Sequence, residues 1–327
     1  MINSLLLATQ DGFLSLSRDK NAWHETTRSL DGINVTTLVA REGVILAGTT
    51  DGILRSDDLG KTWREASDGL TTRHVRWMAF HPSISNLEFA GTEPANIFVS
   101  HDGAATWREC SEVPGLRDQH RWMLPYSPEA GCVRGFAFHG TRAYAAVEVG
   151  GVLRSDDRGE TWRMADGSTG EPTLDTPTAP FAPADIHSVV AHPGSPEIVF
   201  AATHDGLYRS ADGGATWVRV SIECYTRALW LDPTNPDHLI FGPATTRGWR
   251  GSISESRDGG NTWRDASNGL NAPFASGELV ERFAQIGDEL YAVLAKGGLI
   301  ASAIASWEWR EVLPSSAGVN AVTAMPE

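Results

Sequence analysis

Short apolar runs alternate with turn-forming residues along the whole chain. Leu5-Leu6-Leu7-Ala8 leads toward Asp11-Gly12, and later runs meet the same dipeptide at Asp51-Gly52 and Asp205-Gly206. A second run then enters a polar octet, and a third begins at the tryptophan that closes it. Turn residues at fixed offsets between short β-type runs predict antiparallel hairpins rather than helices. The octet S-x-D-x-G-x-T-W stands at 56–63 (SDDLGKTW), 155–162 (SDDRGETW), 210–217 (SADGGATW) and 256–263 (SRDGGNTW). At 100–107 (SHDGAATW) Ala104 replaces the glycine, 17–23 (SRDKNAW) is one residue short, and 302–307 keeps only a remnant. In such a turn the aspartate accepts backbone N–H bonds, glycine supplies positive φ, and the hydroxyls tie the ends. The tryptophan is expected to pack on the neighbouring sheet.

The tryptophans at 23, 63, 107, 162, 217, 263 and 307 mark seven units, each of about the length of one propeller blade. The expected fold is therefore all-β: a single seven-bladed β-propeller domain spanning 1–327. The first unit lacks its first strand, whereas 319–326 carries that strand's pattern. The C-terminal strand should complete the N-terminal blade and close the ring, leaving no open edge.

Composition narrows the function. Basic side chains number 27 against 41 acidic, a net charge of −14, which argues against general binding to nucleic acid or anionic membranes. No apolar run approaches the roughly 18 residues of a spanning helix. The start carries no basic, cleavable leader pattern, so a cytoplasmic location is expected. Cys110, Cys132 and Cys224 are too few for a disulfide framework and fit a reducing compartment. No ligand motif designates a metal, and no cofactor is identified.

Because blades are equivalent, their first strands can be aligned on one another. Pro82, Pro193, Pro233 and Pro326 set the register, and six residues before them stand Arg76, His187, Arg227 and Asn320. The hydrophobic pattern places Thr36, Arg134 and Arg282 at the same position in the other blades. The first strand of a propeller is innermost, so these side chains should ring the central channel. The turn after the second strand adds Glu93, Glu148 and His204 on the same face. With His187 they form a candidate acid–base set or mixed oxygen–nitrogen metal site, salt bridging to the arginines being the expected arrangement. Insertions at 111–132, 166–185 and 243–251 should roof this face. Trp122, Tyr126 and Trp249 are candidate stacking platforms there or, equally, anchors of the insertions, and Arg117, Arg247 and Arg250 add charge. His81, His139 and His192 recur five residues after the ring position and read as structural turn residues.

The octets resemble the Asp-box (BNR) repeat of sialidases, xyloglucan-type glycosidases, sortilin-like receptors and photosystem II assembly-factor-like propellers. The resemblance implies a structural role for the octets, away from the working face. A sialidase would need an Arg-Ile-Pro motif and a paired tyrosine nucleophile. The motif is absent, and Tyr225 alone lies near the expected channel with no glutamate assigned to it. Guanidinium forks match oxyanions, so the expected function is binding of a small anionic ligand, an acidic sugar among them. The other arrangement open to these arginines is a self-neutralised network with glutamates that plugs the channel. Arg76, Arg134, Arg227 and Arg282 would hold the anion, with Trp122 and Trp249 contributing. Hydrolase or lyase chemistry by Glu93, Glu148, His187 and His204 would extend it. The alternative is a non-catalytic scaffold that docks a protein partner on the same face.

Overall fold

A computed structural model describes residues 4–20, 22–124, 131–172, 175, 177–246 and 248–326. Seven four-stranded antiparallel sheets follow one another around a ring. The innermost strands are Val319–Thr323, Val35–Arg41, Val75–Phe80, Cys132–His139, Ile186–His192, Tyr225–Leu231 and Val280–Ile286, defining blades 1 to 7 in that order. The C-terminal strand Val319–Thr323 pairs with Ser4–Thr9 and becomes the inner strand of blade 1. The ring closes as the strand pattern predicts.

The octets form the turns between third and fourth strands. In blade 2, Ser56 Oγ accepts the Gly60 N–H at 2.8 Å and donates to Asp58 Oδ1 at 2.8 Å. Asp58 in turn accepts the Thr62 backbone N–H at 2.9 Å and the Thr62 hydroxyl at 2.7 Å. Asp102, Asp157, Asp212 and Asp258 repeat these bonds. Gly60 has φ +85°, and a Cβ there would stand 2.1 Å from the Phe13 ring of the preceding blade. Gly60→Ala is therefore expected to cost about 2–3 kcal/mol, from overpacking plus a left-handed backbone. Urea unfolding of the variant checks this.

The tryptophans staple blade to blade. Trp107 donates its indole N–H to the Ala66 carbonyl and its backbone N–H to Asp68. In blade 7 that part falls to Trp309, which donates to Ala266 and Asn268 in the same way. Trp307, the expected last marker, instead donates its indole N–H to Glu255 at 2.9 Å. The two indoles are two residues apart, and only the turn's shortened path selects the second. His81, His139 and His192 act as expected at the far end of the inner strands. His81 Nε2 meets the Gly140 carbonyl at 3.0 Å, and His139 Nδ1 meets that of His192 at 3.2 Å.

Candidate functional site: an arginine-lined channel mouth

Each inner strand carries an irregularity just after its first or second residue. Two residues there oppose one on the second strand, and the extra residue turns toward the axis. The register shifts fall between Val35 and Thr37, Val75 and Trp77, Val133 and Gly135, Ile186 and Ser188, and Thr226 and Leu229. The residues so displaced are Thr36, Arg76, Arg134, His187 and, with Ala228, Arg227. Close packing fixes this point: a Cβ on Gly91 of blade 3 would stand 2.4 Å from Val133, the residue before Arg134.

In blade 7 the shift lies between Val280 and Arg282, so the displaced residue is Glu281. The alignment that put Arg282 at the ring position is one residue out of register. Gly287, six residues after Glu281, stands where four other blades have proline. Arg282 still reaches the channel from the adjacent position.

The channel mouth is a cavity of about 260 Å³. Arg76, Arg134, Arg227 and Arg282 line it, together with Glu281, Thr36 and Asn320. Arg134 meets Glu148 at 3.1 Å and Glu281 at 3.3 Å. Arg227 donates to Glu281 and, through Nε, to the Tyr225 hydroxyl at 2.8 Å. Arg76 meets Glu93 at 3.2 Å. Burial works against the Arg134 and Arg227 cations, but their carboxylate partners outweigh it and raise both above the ordinary arginine value. Burial likewise opposes the Glu281 anion, yet Arg227 and Arg134 hold its carboxyl below the usual range.

Arg282 is the exception. Its guanidinium lies over the Trp77 ring, 4.3 Å from the centroid. Among the described residues no carboxylate comes within ion-pair distance of it, and burial with the nearby charges of Arg134 and Arg76 pulls it down to about 9. It remains a cation at neutral pH, held where a cation is disfavoured. Among the described residues four arginines face three carboxylates (Glu93, Glu148 and Glu281), and 4 − 3 leaves one positive charge uncompensated.

The other candidates divide. Glu93 turns to Arg76 of its own blade. Glu148, His187 and Asp185 gather within 4.8 Å of one another, and His204 stands 3.7 Å from Asp185. Asp185 was not singled out from the sequence; it alternates with His187 as Asp185-Ile186-His187, a spacing that puts both side chains on one side of a strand. Burial would raise its carboxyl, but His187 outweighs that and holds it below the ordinary value. Trp122 is no stacking platform: it is 2% exposed, packed in the core between blades 3 and 4, and donates to the Gly170 carbonyl at 2.8 Å. A nine-residue helix, Glu112–His120, leads to it; its indole is the apolar anchor of that insertion. Trp249, 58% exposed, stands on the channel face in the turn closed by Thr245 and Thr246. Tyr126 and Arg247 lie outside the described residues. All three cysteines are free and buried, and burial raises the thiols of Cys110 to about 12 and Cys224 to about 11.

No family model matches the chain. An oligoxyloglucan-reducing end-specific xyloglucanase of Emericella nidulans is 24% identical over 307 residues, covering 79% of this chain and 36% of that protein. A xyloglucanase of Paenibacillus sp is 25% identical over 247 residues, covering 62% and 22%. The chain thus spans about a third or less of the length of these curated relatives. Among solved structures, an ancestral GH74 enzyme superposes with a TM-score of 0.63 at 17% identity, over 88% of this chain and 38% of the other. YCF48 bound to a D1 peptide superposes with a TM-score of 0.61 at 13% identity, over 92% and 88%. The chain is a seven-bladed propeller similar to GH74 xyloglucanases and to YCF48. These likenesses carry the fold; the chemistry of the channel has to be argued from its own residues.

Proposed function

We propose that the channel mouth binds an oxyanion, a carboxylate, sulfate or phosphate carried by a small ligand, with Arg282 as the principal cation and Arg134 and Arg76 beside it. The uncompensated charge of Arg282 carries this reading. A guanidinium already desolvated and stacked on an indole has little entropy left to lose, and a narrow cavity focuses its field despite the acidic surface. An acid–base role for Glu93 and Glu148 is not favoured, since both carboxylates are engaged by arginine. Glycoside hydrolysis would need two carboxyl groups placed about the bond that breaks.

A thermal-shift panel tests the reading. Sulfate, phosphate, uronic acids and small dicarboxylates are each added to wild type and to Arg282→Gln. At hundredfold excess over Kd a bound anion should raise Tm by about 4 °C. Arg282→Gln removes a disfavoured cation, so it should be no less stable than wild type and should bind the anion at least about tenfold more weakly. An identical response in both proteins, or none in wild type, overturns the proposal.

A second reading is that the anion belongs to a protein segment docked on this face. Among the described residues, seven large apolar side chains are exposed. Five of them (Ile33, Met123, Phe181, Ile222 and Trp249) lie in connections on the channel side of the ring, whereas Leu59 and Val218 do not. Near-complete mutual coverage with YCF48, solved with a bound peptide, supports the same reading. Loss of partner capture by Trp249→Ala, with small-anion binding retained, would favour it.

A further inference from the structure

Beside the arginine cavity sits a buried cluster of ligating groups, joined to the arginine network only through Glu148, which meets Arg134. Asp185 immediately precedes the inner strand Ile186–His192 of blade 5, and Glu148 ends the second strand of blade 4. One ligating atom from each of Glu148, Asp185 and His187 lies within 4.8 Å of the others, and the residues are 4%, 7% and 2% exposed. His204, in the turn after the second strand of blade 5, brings Nδ1 to 3.7 Å from Asp185 Oδ2.

Two of these atoms are unpartnered. Asp185 Oδ1 and His187 Nε2 stand 3.3 Å apart, yet among the described residues neither forms a hydrogen bond. The cause lies on the far side of the imidazole. His187 Nδ1 is 2.7 Å from the Thr226 carbonyl oxygen, so Nδ1 carries a proton and donates it. In the neutral form of such a ring the lone pair is on Nε2, here facing a carboxylate oxygen out of contact with water. Two acceptors facing each other in a buried site are satisfied by a cation between them. An imidazole held by an N–H bond to a backbone carbonyl is also the arrangement that orients metal-bound histidine. Ligand atoms about 2.1 Å from a tetrahedral zinc ion stand about 3.4 Å apart; His187 Nε2 is 3.3 Å from Asp185 Oδ1, and His204 Nδ1 is 3.7 Å from the other oxygen of that carboxylate, Oδ2.

We propose that Glu148, Asp185, His187 and His204 bind one divalent transition-metal ion of the zinc class, joining blade 4 to blade 5 next to the anion cavity. Two imidazole nitrogens with two carboxylate oxygens suit zinc, cobalt or iron(II), whereas calcium and magnesium take oxygen alone. Glu93, the fourth member of the set expected from sequence, is not a ligand; Asp185 takes its place. Four protein ligands describe a structural site with no open position, so the ion is assigned a bracing role.

The test is titration of metal-stripped protein with cobalt(II) chloride. Wild type should take up one equivalent, develop the visible bands of low-coordinate cobalt, and gain about 4 °C in Tm at hundredfold excess over Kd. Asp185→Asn, nearly isosteric, and His204→Ala should each weaken uptake at least tenfold. Absence of stoichiometric uptake by wild type, or unchanged uptake in Asp185→Asn, overturns the proposal. Should a variant fail to fold, X-ray absorption at the zinc edge of zinc-loaded wild type decides: two imidazoles in the ligand shell support the site, and an all-oxygen shell overturns it.

Discussion

Glu281→Gln is expected to destabilise the protein by about 3–5 kcal/mol, because it leaves Arg134 and Arg227 buried without their shared counter-charge. The excess on the channel rises from 4 − 3 to 4 − 2, that is, from one positive charge to two. Added sulfate should therefore recover more stability in the variant than in wild type, since the anion takes over the missing carboxylate's part. The pH dependence has a definite sign. The folded-state carboxyl of Glu281 lies below its ordinary value of 4.5. Its contribution is fully present above that value and lost as pH falls below it. Wild type should therefore lose stability on acidification along a limb that is flatter in Glu281→Gln. Urea unfolding at several pH values, with and without sulfate, measures both effects. A variant as stable as wild type would mean that the arginines relax into solvent, and the channel would not be the buried network described here.

A second large loss is expected on the opposite face. Glu255 is almost fully buried and accepts bonds from His238 Nε2 and Trp307 Nε1, both at 2.9 Å, from Arg257 Nε at 2.8 Å, and from Arg264. Burial opposes its charge, but Arg264, Trp307 and Arg257 prevail and bring its carboxyl down to about 2. Arg257 and Arg264 are more than half exposed, so each of those pairs contributes little. The bonds from His238 and Trp307 are buried and dominate. Glu255→Gln should cost about 3 kcal/mol. The depressed value means that this stability is present above pH 4.5 and lost as pH falls toward about 2. Because the site lies between the outer turns of blades 6 and 7, the variant's response to anions should match wild type. It thereby separates general destabilisation from the effect of Glu281. An altered anion response in Glu255→Gln would couple the two faces and remove that distinction.

The fold is legible in the sequence because its turns demand particular side chains at fixed offsets. Ser, Asp and Thr each make a bond that no other spacing allows, so repetition of SDDLGKTW-like octets counts the blades. The inner ring is legible wherever proline marks the end of the first strand, six residues after the displaced position. Blade 7 has Gly287 there, and the run Val280-Glu281-Arg282-Phe283 fits the apolar pattern in either register. Only the pairing of Val280 with Leu294 and Arg282 with Val293 decides it. That one-residue difference hides Glu281, and with it the counter-charge that Arg134 and Arg227 share. Trp122 stays open in the sequence for a related reason: an aromatic residue in a long insertion reads equally as a surface platform or as the anchor that holds the insertion down, and burial decides for the anchor. Asp185 closes an insertion rich in proline and threonine, where no repeat position points to it.

The most direct test of the anion site is crystallographic: crystals grown or soaked with selenate, a sulfate analogue, and measured at the selenium edge. The account predicts an anomalous peak inside the channel mouth, within hydrogen-bond reach of Arg282 and bounded by Arg134 and Arg76, that disappears in Arg282→Gln. Peaks confined to the outer rim, with none in the cavity, would contradict it.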